Sequence, residues 1–246
     1  MNKLILMRRN IKDALYKEKI KKSDVIEQLQ NLEYIKSLNL FEKKNNKVVY
    51  CFWTGENKMS IDRKGALLNM FEKIGLPIVL VNEKNLDYFI KSDKLHPAYK
   101  YLSETHRSDY LRIYFMKHFG GGYTDIKAQS GSWIESFEKI SKLDEIWMVG
   151  YDKNPTGPNV GLGSFICKAD TPLINELYDE IVNILDKKLN LLKLYPSKFP
   201  QDVTSETSNY PLVWTEILAQ PFIKIISKYI IHYDGTLPHP YSHHYR

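Results

Sequence analysis

Val48-Val49-Tyr50-Cys51-Phe52-Trp53 is a compact β-prone run that breaks at Thr54-Gly55. Ile61 to Ile74 then repeats apolar residues at helical spacing and closes at Gly75 and Pro77. Ile78-Val79-Leu80-Val81 is a second buried run. Strand, helix and strand in that order predict a βαβ unit, hence a parallel sheet with helices on its faces.

Upstream, Ile11, Leu15, Ile20, Val25, Leu29, Leu32, Ile35 and Leu38 recur among Lys and Glu, which predicts helix over 11–40. A break near Lys22-Ser23-Asp24 would make it two helices, with Ser23 able to cap the second. Downstream, residues 85–92 and 97–103 read as short helices. Ser103 to Phe119 is the clearest helix, stopped by Gly120-Gly121-Gly122. Short strands follow at Tyr123–Ile126, Ile146–Gly150 and Gly161–Cys167. A helix opens at Thr171-Pro172 and runs through Leu185. Residues 211–228 read as a further helix and Tyr229–Tyr233 as a last strand. The expected organisation is a helical extension over 1–46 and one α/β domain over 47–246.

The 246 residues are 43% hydrophobic and 26% charged, an ordinary globular balance. The net charge of +6 favours anionic partners. Much of the excess lies between Lys3 and Lys47, where a solvated helical face is the plain explanation. Lys3, Arg8, Arg9, Lys12, Lys17, Lys19, Lys21 and Lys22 also suit an anionic membrane surface. Nucleic acid is disfavoured, because the lysines show no aromatic interleaving and no recognition motif. The N-terminal apolar run is too short for a signal peptide, and no stretch approaches the roughly 20 apolar residues that span a bilayer. A cytoplasmic protein is therefore expected, with peripheral contact to the inner membrane face as an added option. Cys51 and Cys167 sit in apolar runs and read as buried free thiols. No nucleophile turn, phosphate-cradling lysine loop or dinucleotide glycine fingerprint is present.

The densest chemical signal runs from Arg107 to Lys127. Asp109 and Arg112 stand three apart on one helix face, where an acid and a guanidinium can grip hydroxyls and anionic oxygens together. A local helix ion pair is the plain alternative. Three glycines after the helix let the backbone turn and approach a ligand. Asp125 then falls at the end of a short strand, the edge at which open α/β sheets bind ligands. A carboxylate there can hold a divalent cation bridging two phosphates.

Ser108-Asp109, Arg112, Gly121-Gly122-Tyr123 and Asp125 together resemble the DXD-containing sugar transferases. These include bacterial capsule and lipopolysaccharide sugar transferases, yeast-type initiating mannosyltransferases and glucosylating toxins of clostridia. Trp53-Thr54-Gly55 resembles the family's opening strand end, and Asn159 to Cys167 its later strand. The resemblance implies a GT-A type nucleotide-sugar-binding domain, a mostly parallel sheet flanked by helices. It implies a nucleotide-sugar donor, UDP-linked by preference, and a saccharide or lipid-linked saccharide acceptor, with retention of anomeric configuration. Phe52, Trp53, Thr54, Ser108, Asp109, Arg112, Gly121, Gly122, Tyr123 and Asp125 would form the donor site, with Trp53 stacking on the base. Asp109, Arg112, Asp125 and Lys127 would carry catalysis. Asp152 and Asn159, with Asn154 beside them, are acceptor candidates by position. Asp125 with His239 and His244 is the candidate metal set for Mn2+ or Mg2+, and His232 and His243 lie near it in sequence. Glu206 and Glu216 are further acidic candidates. The family's second Asp is Lys127 here. A lysine there could reach the diphosphate in the cation's place, which leaves metal dependence open. Two other classes stay open: a binding module with a degenerate site, and a protein that binds polyanions through charge alone.

Overall fold

The computed structural model describes residues 22–42, 46–90, 94–152, 160–197 and 211–229. Its centre is a five-stranded sheet. β1 (Val49–Trp53) pairs in parallel with β2 (Ile78–Asn82) on one side and β3 (Gly121–Thr124) on the other. β4 (Met148–Asp152) and β5 (Val160–Cys167) complete it in the order β2-β1-β3-β5-β4. β5 runs antiparallel to both β3 and β4, so the other four strands all point one way. The sheet is thus mostly parallel in direction, with one reversed strand inserted beside its centre. The chain leaves β1 toward β2 and then crosses back to β3. That reversal opens a crevice between the ends of β1 and β3.

The helices follow from caps and apolar faces. α1 (Lys22–Gln30) and α2 (Leu32–Ser37) are separated at Asn31, whose side chain accepts from the backbone N–H of Glu33 and Tyr34. The described helix begins at Lys22, residues 11–21 lie outside the described residues, and Asn31 adds a break that the sequence reading did not place. Val25, Leu29, Tyr34, Ile35 and Leu40 are packed into the sheet's own core. The Tyr34 hydroxyl donates to the Ile78 carbonyl at 3.0 Å, fastening these helices to β2.

α3 (Ile61–Lys73) is capped by Ser60 and buries Ala66, Leu67 and Met70 in the core. The two stretches expected as short helices are single 3-10 turns, Leu86–Phe89 and Tyr99–Tyr101. α4 (Glu104–Phe119) starts at Ser103, whose hydroxyl accepts from the His106 N–H. It stops at Gly120, which takes a positive φ of 60°. α4 is buried on nearly every side, and Tyr50, Phe89, Phe115 and Phe119 form an aromatic cluster beneath it.

α5 (Ile134–Lys142) was not anticipated. It packs Phe137 and Ile140 inward behind a buried Trp133. α6 (Pro172–Leu194) is capped by Thr171 and lies across α4. α7 (Ala219–Ile226) is all that forms of the helix expected over 211–228, and it packs antiparallel on α6 through Lys224–Glu180 and Lys228–Glu176. Of the strand expected at 229–233, Tyr229 lies in a turn after α7, and the rest lies outside the described residues. Cys51 and Cys167 are buried free thiols. No described helix is long and apolar enough to cross a membrane.

Candidate active site

Asp109 and Arg112 do pair on α4, at 2.9 Å between Oδ1 and Nη2. The pair is not a surface one. Their side chains are 9% and 8% exposed, so a charged pair has been taken into the fold. The Arg112 guanidinium continues outward from it. Nη1 donates to the Leu162 carbonyl on β5 at 2.8 Å, and Nη2 lies 3.5 Å from Asp125 Oδ1. Its plane covers the Tyr123 ring with 4.4 Å from Cζ to the centroid, a cation–π contact.

Asp125 is the first residue past β3. Its N–H donates to the Gly163 carbonyl at 2.8 Å, which continues the pairing with β5 beyond Thr124. Oδ1 accepts from the Tyr123 hydroxyl at 2.7 Å, and that hydroxyl in turn receives a bond from Ser108 Oγ at 3.2 Å. Oδ2 lies 3.1 Å from Lys127 Nζ. The loop that carries Lys127 is pinned from three sides. Arg63 Nη1 donates to the Ile126 carbonyl at 2.6 Å. The buried Gln129 amide donates to the Lys127 carbonyl and to Thr124 Oγ1. Thr124 Oγ1 also bonds Ser164 Oγ on β5.

The two carboxyls are pushed opposite ways. Burial raises Asp109 to about 6, against the pull of Arg112 and with a push from Asp125. Burial also acts to raise Asp125, but the Arg112 and Lys127 cations and the bonds from Tyr123 and Lys127 outweigh it and hold it below the usual range. Two interacting carboxyls with divergent environments are a common mark of a working site.

Two glycines on β5 let neighbouring side chains pack close to the strand. A Cβ on Gly163 would lie 3.1 Å from Asp125 Oδ2 and 3.5 Å from the Tyr151 hydroxyl. A Cβ on Gly161 would lie 2.2 Å from Cζ of Tyr151. Residues two apart on a strand share a face, so the pair lets the Tyr151 ring lie over Gly161 and the Asp125 carboxylate approach Gly163.

Gly121 and Gly122 do something different from what the sequence suggested. A Cβ on Gly121 would lie 2.8 Å from the Val48 carbonyl, and one on Gly122 would lie 3.0 Å from the Trp133 ring. Gly121 also takes φ 103°. The space beside these glycines belongs to the protein itself, so close approach to a ligand gives way to close packing of β3. Phe52 is likewise buried, its ring stacked on Tyr123 with centroids 5.2 Å apart. It underlies the cluster. Trp53, at the end of β1, is half-buried, and its indole N–H donates to the Asn57 carbonyl at 2.9 Å. Thr54 is buried and donates to the Glu104 carbonyl, tying the β1 loop to the start of α4. Asp152 ends β4 at the same edge of the sheet. Glu216 accepts from the Val213 N–H and pairs with Lys188, which engages it in holding a turn against α6. Asn154, Asn159, Glu206, His232, His239, His243 and His244 lie outside the described residues.

Sequence reasoning missed Arg63, Gln129, Tyr151 and the β5 carbonyls. The Gly161-x-Gly163 spacing inside a strand was the available signal, since strand glycines mark close approach. Among the described residues no group of three His, Cys, Asp or Glu is placed to hold a metal ion.

Residues 32–136 match the family model described as the glycosyltransferase sugar-binding region containing DXD motif. No curated protein matches in sequence. Among solved structures, the PaToxG glycosyltransferase is similar at 15% identity and a TM-score of 0.43, over 85% of this chain and 81% of that one. The apo-form glycosyltransferase GlyE of Streptococcus pneumoniae is similar at 14% identity and a TM-score of 0.38, over 74% of this chain and 44% of that one. The matched segment contains β1, α4, β3 and each of the charged residues Asp109, Arg112, Asp125 and Lys127. Over residues 32–136 the chain is thus similar to the sugar-binding region of the DXD-containing glycosyltransferases.

Proposed function

We propose that the protein transfers a hexosyl-type group from a nucleotide-sugar donor, UDP-linked by preference, to a hydroxyl of a bacterial surface polysaccharide or its lipid-linked precursor, with retention of configuration. The observation that carries the donor site is the continuous network Asp109–Arg112–Tyr123–Asp125–Lys127 at the open edge of the sheet. Asp109 and Asp125 offer carboxylate oxygens to ribose or sugar hydroxyls. Arg112 holds both in place, and Trp53 at the neighbouring strand end offers a ring face to the base. The acceptor class and the stereochemistry rest on the likeness to capsule and lipopolysaccharide sugar transferases. In the reaction, the bond from the anomeric carbon to the diphosphate oxygen breaks, and its electron pair stays on the diphosphate. The acceptor hydroxyl oxygen forms the new bond, and its proton ends on the released diphosphate.

Calorimetric titration of UDP, GDP and CMP tests the donor site. Selective binding of UDP supports the UDP-linked donor, and binding of none of the three removes the nucleotide-sugar reading.

Acid should weaken the donor site without weakening the fold through Asp109. The folded carboxyl titrates near 6 and its usual value is 3.8, so between these the folded chain takes up its proton first. As pH falls through that window, Asp109 favours the fold yet loses the charge that accepts hydroxyl protons. UDP affinity at pH 5 is therefore expected to be severalfold below that at pH 7.5, and Asp109→Asn should lack this acid limb. An acid limb unchanged in Asp109→Asn would place the titration elsewhere.

The two β5 glycines make a graded prediction. Gly163→Ala brings a methyl against the end of a side chain, so UDP affinity should drop while Tm stays within about 2 °C. Gly161→Ala forces the Tyr151 ring to move and should lower both. Equal affinity in wild type and Gly163→Ala would mean that Gly163 does not border the donor site.

A further inference from the structure

DXD-type sites bring a divalent cation to the donor diphosphate, and the described residues of this site do not fit one. Such an ion needs carboxylate oxygens at roughly 2.0–2.6 Å and several oxygen ligands around it. Each oxygen of Asp125 is already engaged by protein donors. Oδ1 has the Tyr123 hydroxyl at 2.7 Å and Arg112 at 3.5 Å, and Oδ2 has Lys127 Nζ at 3.1 Å. An ion on Oδ2 would sit beside an ammonium of like sign. Asp109 Oδ1 is committed to Arg112 at 2.9 Å, and both of those side chains are buried.

Charge balance points the same way. Two carboxylates, Asp109 and Asp125, face two cations, Arg112 and Lys127. The site is near neutral before a diphosphate enters, so the negative charge of the ligand must meet a cation that can turn toward it. Arg112 is held by Leu162, Ser108, Asp109 and Tyr123. Lys127 has a side chain 34% exposed and a long flexible stem, on a loop fixed by Arg63 and Gln129.

We infer that Lys127 replaces the divalent cation of this family. Its ammonium moves from Asp125 Oδ2 onto the donor diphosphate, and donor binding and transfer proceed without a metal ion. The inference rests on the donor site proposed above. Once the ammonium turns away, Asp125 Oδ2 is exposed to a sugar or ribose hydroxyl, so a single movement readies both contacts. During transfer the same ammonium stabilises the charge left on the diphosphate oxygen as the anomeric bond breaks.

The test uses the whole protein, UDP and manganese. UDP is titrated calorimetrically in metal-stripped buffer with EDTA and again with excess Mn2+, and Mn2+ binding is followed separately by its EPR signal with and without UDP. The expected result is a UDP affinity that differs by less than about threefold between the two buffers, with no protein-bound Mn2+ beyond what UDP binds alone. Lys127→Ala should lose roughly tenfold or more in UDP affinity in both buffers, the scale of one charge-assisted bond. Lys127→Asp restores the family's second carboxylate. It should bind UDP poorly in EDTA and recover at least tenfold on adding Mn2+. Wild-type binding that needs Mn2+, or Mn2+ bound by the wild-type site, overturns the inference and leaves the donor site standing. Lys127→Ala with wild-type affinity also overturns it. Failure of UDP to bind wild type in either buffer removes the donor site and this inference with it.

Discussion

Asp125→Asn is expected to lower sugar transfer by roughly 100-fold or more while leaving the fold intact. The carboxylate is the junction of the site. It takes the Tyr123 hydroxyl on one oxygen, faces Arg112, and holds Lys127 with the other. An amide of the same shape keeps the packing but removes the charge and turns one acceptor into a donor. At least two charge-assisted bonds are lost at about 1.5–3 kcal/mol each, and each 1.4 kcal/mol is tenfold. The backbone bond from the Asp125 N–H to Gly163 is untouched, so the chain still folds, and the bonds lost within the protein should lower Tm by several degrees. Release of nucleoside diphosphate from the donor selected by titration measures the loss, with thermal melting alongside. Wild-type turnover in this variant would sink the assignment of the site.

Arg112→Met is expected to be the most destabilising single change at the site. It leaves Asp109 and Asp125 without the cation between them, and removal of one member of a buried charged pair costs about 3–5 kcal/mol. For a chain of this length that corresponds to a Tm lower by roughly 6–20 °C. The deficit should shrink in the double variant Asp109→Asn/Arg112→Met, because the stranded charge is then gone. Arg112→Lys should recover little. One ammonium cannot reach the Leu162 and Ser108 carbonyls and Asp109 while also covering the Tyr123 ring. If Arg112→Met melts within 2 °C of wild type, the buried pair contributes nothing and the coupling described here is wrong.

The parts of the fold that depend on neighbours in sequence were legible. The β1–α3–β2 unit shows itself because buried parallel strands are continuous apolar runs. α4 shows itself through Ser103 and Gly120. What could not be read is whatever depends on distant partners. An Asp and an Arg three apart look the same on a solvated helix and in a core, and only the fold reveals that Asp109 and Arg112 are buried. Gly121 and Gly122 looked like room for a ligand because the groups that crowd them, Val48 and Trp133, lie elsewhere in the chain. The break at Asn31 escaped notice because an Asn within a periodic apolar stretch looks the same inside a helix and at a cap. α5 escaped notice because its apolar stripe is short and rich in Lys and Glu. Asp125 was found from the motif, but its seating on Gly163 comes from a strand pairing that no local pattern encodes.

The backbone oxygens that receive Arg112 and Asp125 belong to Leu162 and Gly163 on the reversed strand β5. Synthesis delivers them late. Thr124 and its partner Ser164 are separated by 40 residues, which a ribosome adds in about 2–8 s. Through that interval the emerging chain already carries its acidic and basic groups but has no strand to seat them. Both contacts form only when β5 slots between β3 and β4.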